Sequence, residues 1–140
     1  MPGKFFLDTN VLVYTFDKKS PEKQALANQL VESAFDGSGM VSWQVIQEFC
    51  NVARKSFEPK MDSLSLGHYL DNVLYPLCRF FPDREIFKEA LSVSDETKYS
   101  WYDSLIIASA MRLGCETLFS EDLHHNQSLR GLRIVNPFAK

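Results

Sequence analysis

The side chains with chemistry to offer in this chain are acids. Phe5-Phe6-Leu7 runs directly into Asp8, Thr9 and Asn10, and Glu48 stands on the polar side of an otherwise apolar helical pattern. Asp103 falls three residues after Ser100, at the head of the longest regular pattern, and Asp122 closes the stretch Ser120-Glu121-Asp122 behind another apolar run. Carboxylates gathered in one place raise one another's pKa and resist ionisation. A divalent cation removes that penalty, and oxygen donors without an accompanying histidine suit Mg²⁺ or Mn²⁺, which keep several waters and share their coordination with phosphate oxygens. The chemistry open to such a set is metal-assisted phosphodiester hydrolysis. One ion acidifies a bound water, a second at about 4 Å would stabilise the leaving oxygen, and Glu48 or Asp103 would orient the water. Each acid also has a purely structural reading: a helix cap for Asp8, a capping box for Asp103, a solvated helix face for Glu48 and a turn for Asp122. Taken singly those readings prevail; the joint placement of all four reverses the balance.

The elements that must position these acids alternate. Short apolar runs at Phe5–Leu7, Met40–Ser42, Leu77–Phe81, Cys115–Phe119 and Leu132–Val135 read as strands. Between them lie helical patterns at Thr9–Phe16, from Ser20-Pro21-Glu22 with Leu26, Leu30, Val31, Ala34 and Phe35, from Trp43 to Lys55, from Asp62 or Ser63 to Pro76, from Pro82-Asp83 to Val93, and from Ser100 to Gly114. Ser94–Tyr99 reads as a loop. Strands alternating with helices specify an α/β fold, here a central parallel five-stranded sheet flanked by helices. In a parallel sheet the ligand crevice lies outside the carboxyl ends of the strands, where Asp8 and Asp122 would share one edge and the helix starts would face it.

Composition bounds the reading. A chain of 140 residues with 45% hydrophobic content suits one domain spanning 1–140, and at that size folding buries roughly 68–70% of the unfolded chain's surface. Cys50, Cys78 and Cys115 are an odd number without C-x-x-C spacing, so reduced thiols in a cytoplasmic protein are expected. No apolar stretch approaches the length of a membrane helix, and no export signal is recognisable. The net charge of −3 argues against a polyanionic partner only if every acid is free; setting the four candidate ligands aside leaves 14 of the 18 acids against 15 Lys and Arg.

The pieces Phe6-Leu7-Asp8-Thr9-Asn10, Gln47-Glu48-Phe49, Ser100-Trp101-Tyr102-Asp103 running on to Ala110, Leu118-Phe119-Ser120-Glu121-Asp122, and Gly131–Phe138 occur in order over nearly the whole chain. Together they resemble the PIN-domain ribonucleases, and among them the VapC-type toxins of toxin–antitoxin pairs. The resemblance implies a PIN-like domain with Mg²⁺ or Mn²⁺ at Asp8, Glu48, Asp103 and Asp122, and endonucleolytic cleavage of RNA. It implies polar helpers at Thr9 or Asn10 and at Ser120, a homodimer, and an antitoxin whose C-terminal segment crosses the site. The nearest enzymatic rival is a phosphotransferase of haloacid-dehalogenase type, which places a second Asp where Asn10 stands. A non-catalytic PIN-like scaffold that binds RNA or protein is the other.

For RNA, Lys18, Lys19, Arg54, Lys55, Lys98 and Arg130 are candidate phosphate contacts, which supply affinity rather than sequence choice. Trp43, Trp101 and Tyr102 are candidate stacking platforms. His124 and His125 read as exposed loop residues rather than ligands, and His68 has no evident partner.

Overall fold

Apolar runs of three or four residues are too short for helices and satisfy their backbone groups by pairing side by side. In the computed structural model, which describes residues 3–140, β1 (Phe5–Leu7), β2 (Gly39–Ser42), β3 (Cys78–Phe80), β4 (Thr117–Phe119), β5 (Gln127–Leu129) and β6 (Leu132–Val135) form one sheet in the order β3-β2-β1-β4-β6-β5. The five pairings are parallel except that of β5 with β6. The α/β architecture is as expected, but the sheet has six strands, not five. The additional strand hides in a polar segment with one buried residue, Leu129, and returns through Arg130-Gly131, both at positive φ (50° and 87°). Positive φ at both central residues is what a two-residue hairpin requires.

Helices cover the sheet: α1 (Thr9–Tyr14), α2 (Pro21–Ser33), α3 (Trp43–Lys55), α4 (Ser63–Tyr69), α5 (Tyr75–Leu77), α6 (Arg84–Thr97) and α7 (Trp101–Arg112). A wider turn, Leu70–Leu74, joins α4 to α5, so the helical path continues past Pro76 instead of ending there. Pro76 sits in the first turn of α5, where its missing N–H costs nothing. Ser94–Thr97, expected as loop, is the last turn of α6, which ends at Lys98 in the left-handed conformation (φ 66°). The stripe expected on α2 is also only partly buried. Ala27 and Ala34 face the core, whereas Leu26 and Phe35 are exposed. α7 is buried on nearly every side from Ser104 to Ala110, and its two buried serines are satisfied by the Tyr99 and Leu105 carbonyls.

The order of strands decides where a site can form. The chain winds outward from β1 through β2 to β3, then crosses back to lay β4 on the other side of β1. That reversal opens a crevice at the carboxyl ends of β1 and β4, where Asp8 and Ser120 follow the two strands.

Candidate metal centre

Asp8 is fixed first by the backbone. Its N–H donates to the Phe119 carbonyl at 3.0 Å, extending the β1–β4 ladder by one bond, and its extended φ/ψ turns the chain into α1. Its carboxylate then accepts from the Thr9 N–H at 2.8 Å and from the Ser120 hydroxyl at 2.7 Å. Burial pushes this carboxyl up to about pKa 7; the two hydrogen bonds oppose the shift, and the nearby charges of Glu48 and Asp122 add to it. The capping and site readings of Asp8 therefore coincide in one side chain.

The other acids are each aimed by a neighbour. Glu48 on α3 accepts from the Thr9 hydroxyl (2.6 Å) at one oxygen and from the Gln44 amide (3.0 Å) at the other. Gln44 also donates to the Tyr102 carbonyl at 3.0 Å, which ties the start of α3 to the first turn of α7. Asp122 accepts from Asn10 Nδ2 at 3.1 Å, while Asn10 Oδ1 accepts from the Glu121 N–H at 3.1 Å. Ser120 accepts from the Asp122 N–H at 3.2 Å as it donates to Asp8, so one hydroxyl links two acids. Asp103, in the first turn of α7, donates its N–H to Ser100 Oγ at 3.2 Å, the capping geometry its spacing announced. Its carboxyl is raised chiefly by burial, with Ser100 opposing and Asp122 and Glu48 adding to the shift.

These four acids, from four separate segments, line one open cleft of about 610 Å³ together with Asp17 and Glu121; among the described residues no Lys, Arg or His lines it. Thr9 and Asn10 line it as well. Glu121 is partly neutralised. Burial pushes its carboxyl up, but the Lys23 ammonium and the Tyr14 hydroxyl outweigh that and hold it below the usual carboxylate range. Among the described residues no three His, Cys, Asp or Glu side chains are closed into a ready-made cage. An all-oxygen donor set around an open cleft fits an ion of the Mg²⁺ type, which needs one or two carboxylates and keeps its waters, better than zinc, whose sites are built mainly on Cys and His.

The expected basic contacts lie elsewhere. Arg54, Lys55, Lys98 and Arg130 do not line the acidic cleft. Arg54 donates to Ser63, and Arg130 is tied to Glu96 and Ser92 beside a second, smaller cleft. His124 and His125 are exposed, and His125 Nδ1 accepts from the Asn136 N–H. Trp101 stacks on Phe87, Trp43 is half-buried, and Tyr102 is largely exposed. Sequence reasoning missed Gln44, Tyr14, Lys23, Asp17 and the part played by Glu121. Only Gln44 carried a signal, standing one helical turn before Glu48 on the same face.

A family model described as PIN domain matches residues 5–127. A search of the curated proteins finds no significant match. Among solved structures, a toxin–antitoxin complex from Klebsiella pneumoniae is similar, with TM-score 0.70 and 19% identity over 96% of this chain and 98% of that one. FitAcB from Neisseria gonorrhoeae matches with TM-score 0.64 and 17% identity over 96% and 98% of the two chains. The sarcin-ricin-loop-cleaving toxin VapC20 of Mycobacterium tuberculosis matches with TM-score 0.58 and 16% identity over 85% and 92%. At these identities the likeness is one of fold.

Proposed function

The chain belongs to the PIN-domain family, and from that premise we propose that it is a single-domain, metal-dependent endoribonuclease and the toxin of a toxin–antitoxin pair. One observation carries the reading: Asp8, Glu48, Asp103 and Asp122 come from four segments to line one cleft at the strand-order reversal. An RNA strand is the substrate, and Asp8, Glu48, Asp103 and Asp122 would hold Mg²⁺ or Mn²⁺. When bound, such an ion supplies a more acidic water and charge stabilisation at phosphoryl oxygens. The chain's own groups do the rest. Ser120 and the Thr9 N–H hold Asp8 in one orientation, Thr9 and Gln44 hold Glu48, and Asn10 holds Asp122. Asp103, met among the described residues only by Ser100 at its own helix cap, would accept a proton from the attacking water.

The similar structures that are toxin–antitoxin complexes support a protein antitoxin as partner, and a homodimer is part of the same proposal. A phosphoaspartyl mechanism is disfavoured by Asn10, whose amide is spent on Asp122 and the Glu121 N–H. Asp103→Asn should fold normally and lose cleavage of single-stranded RNA by about 10³-fold, a loss on the scale of removing one organising charge. EDTA should abolish wild-type activity. Full activity of the variant, or activity indifferent to EDTA, sinks the proposal.

A further inference from the structure

The cleft presents six carboxylates and, among the described residues, no basic side chain to a substrate that is itself polyanionic. Bonded to two of its lining residues, Tyr14 and Glu121, stands one ordered ammonium, that of Lys23. Lys23 Nζ donates to Glu121 Oε2 at 2.6 Å and to Tyr14 OH at 3.1 Å, while Tyr14 OH donates to Glu121 Oε1 at 2.6 Å. The rings of Tyr14 and Phe138 flank it, with centroids 4.8 and 5.7 Å from Nζ. A lysine side chain ordinarily keeps many rotamers; here a carboxylate, a phenol and two rings select one. Its side chain is still 39% exposed, and among the described residues Nζ makes two hydrogen bonds, which leaves the third N–H without an acceptor. An ion pair as open as this contributes little to stability, so fold stability does not account for the arrangement.

We infer that Lys23, braced by Tyr14, Glu121 and Phe138, is a backbone-phosphate contact that seats a single nucleic-acid strand at the rim of the acidic cleft. The inference rests on the nuclease reading and adds to it the cation the cleft lining lacks. Glu121 and Tyr14, both lining the cleft, hold the ammonium beside it, and the unpartnered N–H is the group offered to a phosphate oxygen. The residue is a substrate contact, with no part in proton transfer.

Binding of a fluorescein-labelled single-stranded RNA oligonucleotide, followed by anisotropy over a range of KCl at fixed Mg²⁺, tests this in the Asp8→Asn background, where the strand is not cut. Adding Lys23→Met, which keeps the stem, should lower the slope of log K against log[KCl] by about 0.7, the increment for one phosphate on a single strand. Lys23→Arg should keep the slope, whereas Glu121→Gln, which removes the brace but not the charge, should lower it less than Lys23→Met does. An unchanged slope in Lys23→Met, or an equal loss of slope in Lys23→Met and Glu121→Gln, overturns the contact while leaving the nuclease reading intact. No RNA binding by the Asp8→Asn parent overturns both.

Discussion

Asp8 caps α1 and lies buried against Ser120, so in the metal-free protein its proton is held until about pH 7, against an ordinary value of 3.8. Between those two values the folded state binds a proton that the unfolded chain has released, and stability falls as pH rises. The fall is about 1.4 kcal/mol per pH unit, or on the order of 4 kcal/mol across the window, and it levels off above pH 7. Asp8→Asn keeps the shape without the charge and should escape this loss. Urea denaturation at pH 4.5 and 7.5 without metal should therefore show the variant gaining on wild type toward neutrality. Parallel pH dependence of the two proteins would mean that Asp8 is not the strained carboxylate described above. At this scale the sequence was informative because Asp8 and Asp122 followed apolar runs, Asp103 opened a helix and Glu48 stood on the polar side of one. Lys23 and Glu121, 98 residues apart, had no such marker, and only the fold brings them together.

Among the elements, β2 shows how tightly the sheet is built under the site. Gly39 opens the strand where an added Cβ would stand 2.3 Å from Ala34 Cβ and 2.7 Å from the Phe5 ring. Gly39→Ala must push β2 off β1 or distort the Ala34–Ser38 turn, and overpacking of this kind costs about 1–3 kcal/mol. The denaturation midpoint should drop with an unchanged slope; an unchanged midpoint would show that the turn yields freely. The main elements were legible because strand runs and helix starts follow local chemistry, as at Ser100 and Asp62, whose side chains accept from the third residue on. The misreadings have local causes too. β5 is polar because it is an edge strand with one buried side chain, α6 outruns its apolar stripe because its last turn is solvated, and α2 shows apolar residues on a face that nothing in the described chain covers.

For the molecule as a whole, the decisive feature is the reversal of strand order at β1, which no local pattern announces. It sets β4 beside β1 and so turns acids more than a hundred residues apart, Asp8 and Asp122, into walls of one cleft. The overall charge of −3 is accordingly uneven, with six carboxylates on that cleft. Among the described residues no helix is long and apolar enough to cross a membrane. The most direct test of the account is calorimetric titration of Mn²⁺ into wild type and into Asp8→Asn at neutral pH. Wild type should bind the ion with proton release, since a carboxyl that keeps its proton to about pH 7 must give it up to become a ligand. The variant should bind at least about tenfold more weakly, the low end of what loss of a supporting group costs a metal site, and release fewer protons. Equal affinity and equal proton release in the two proteins would contradict the placement of the metal among these four acids.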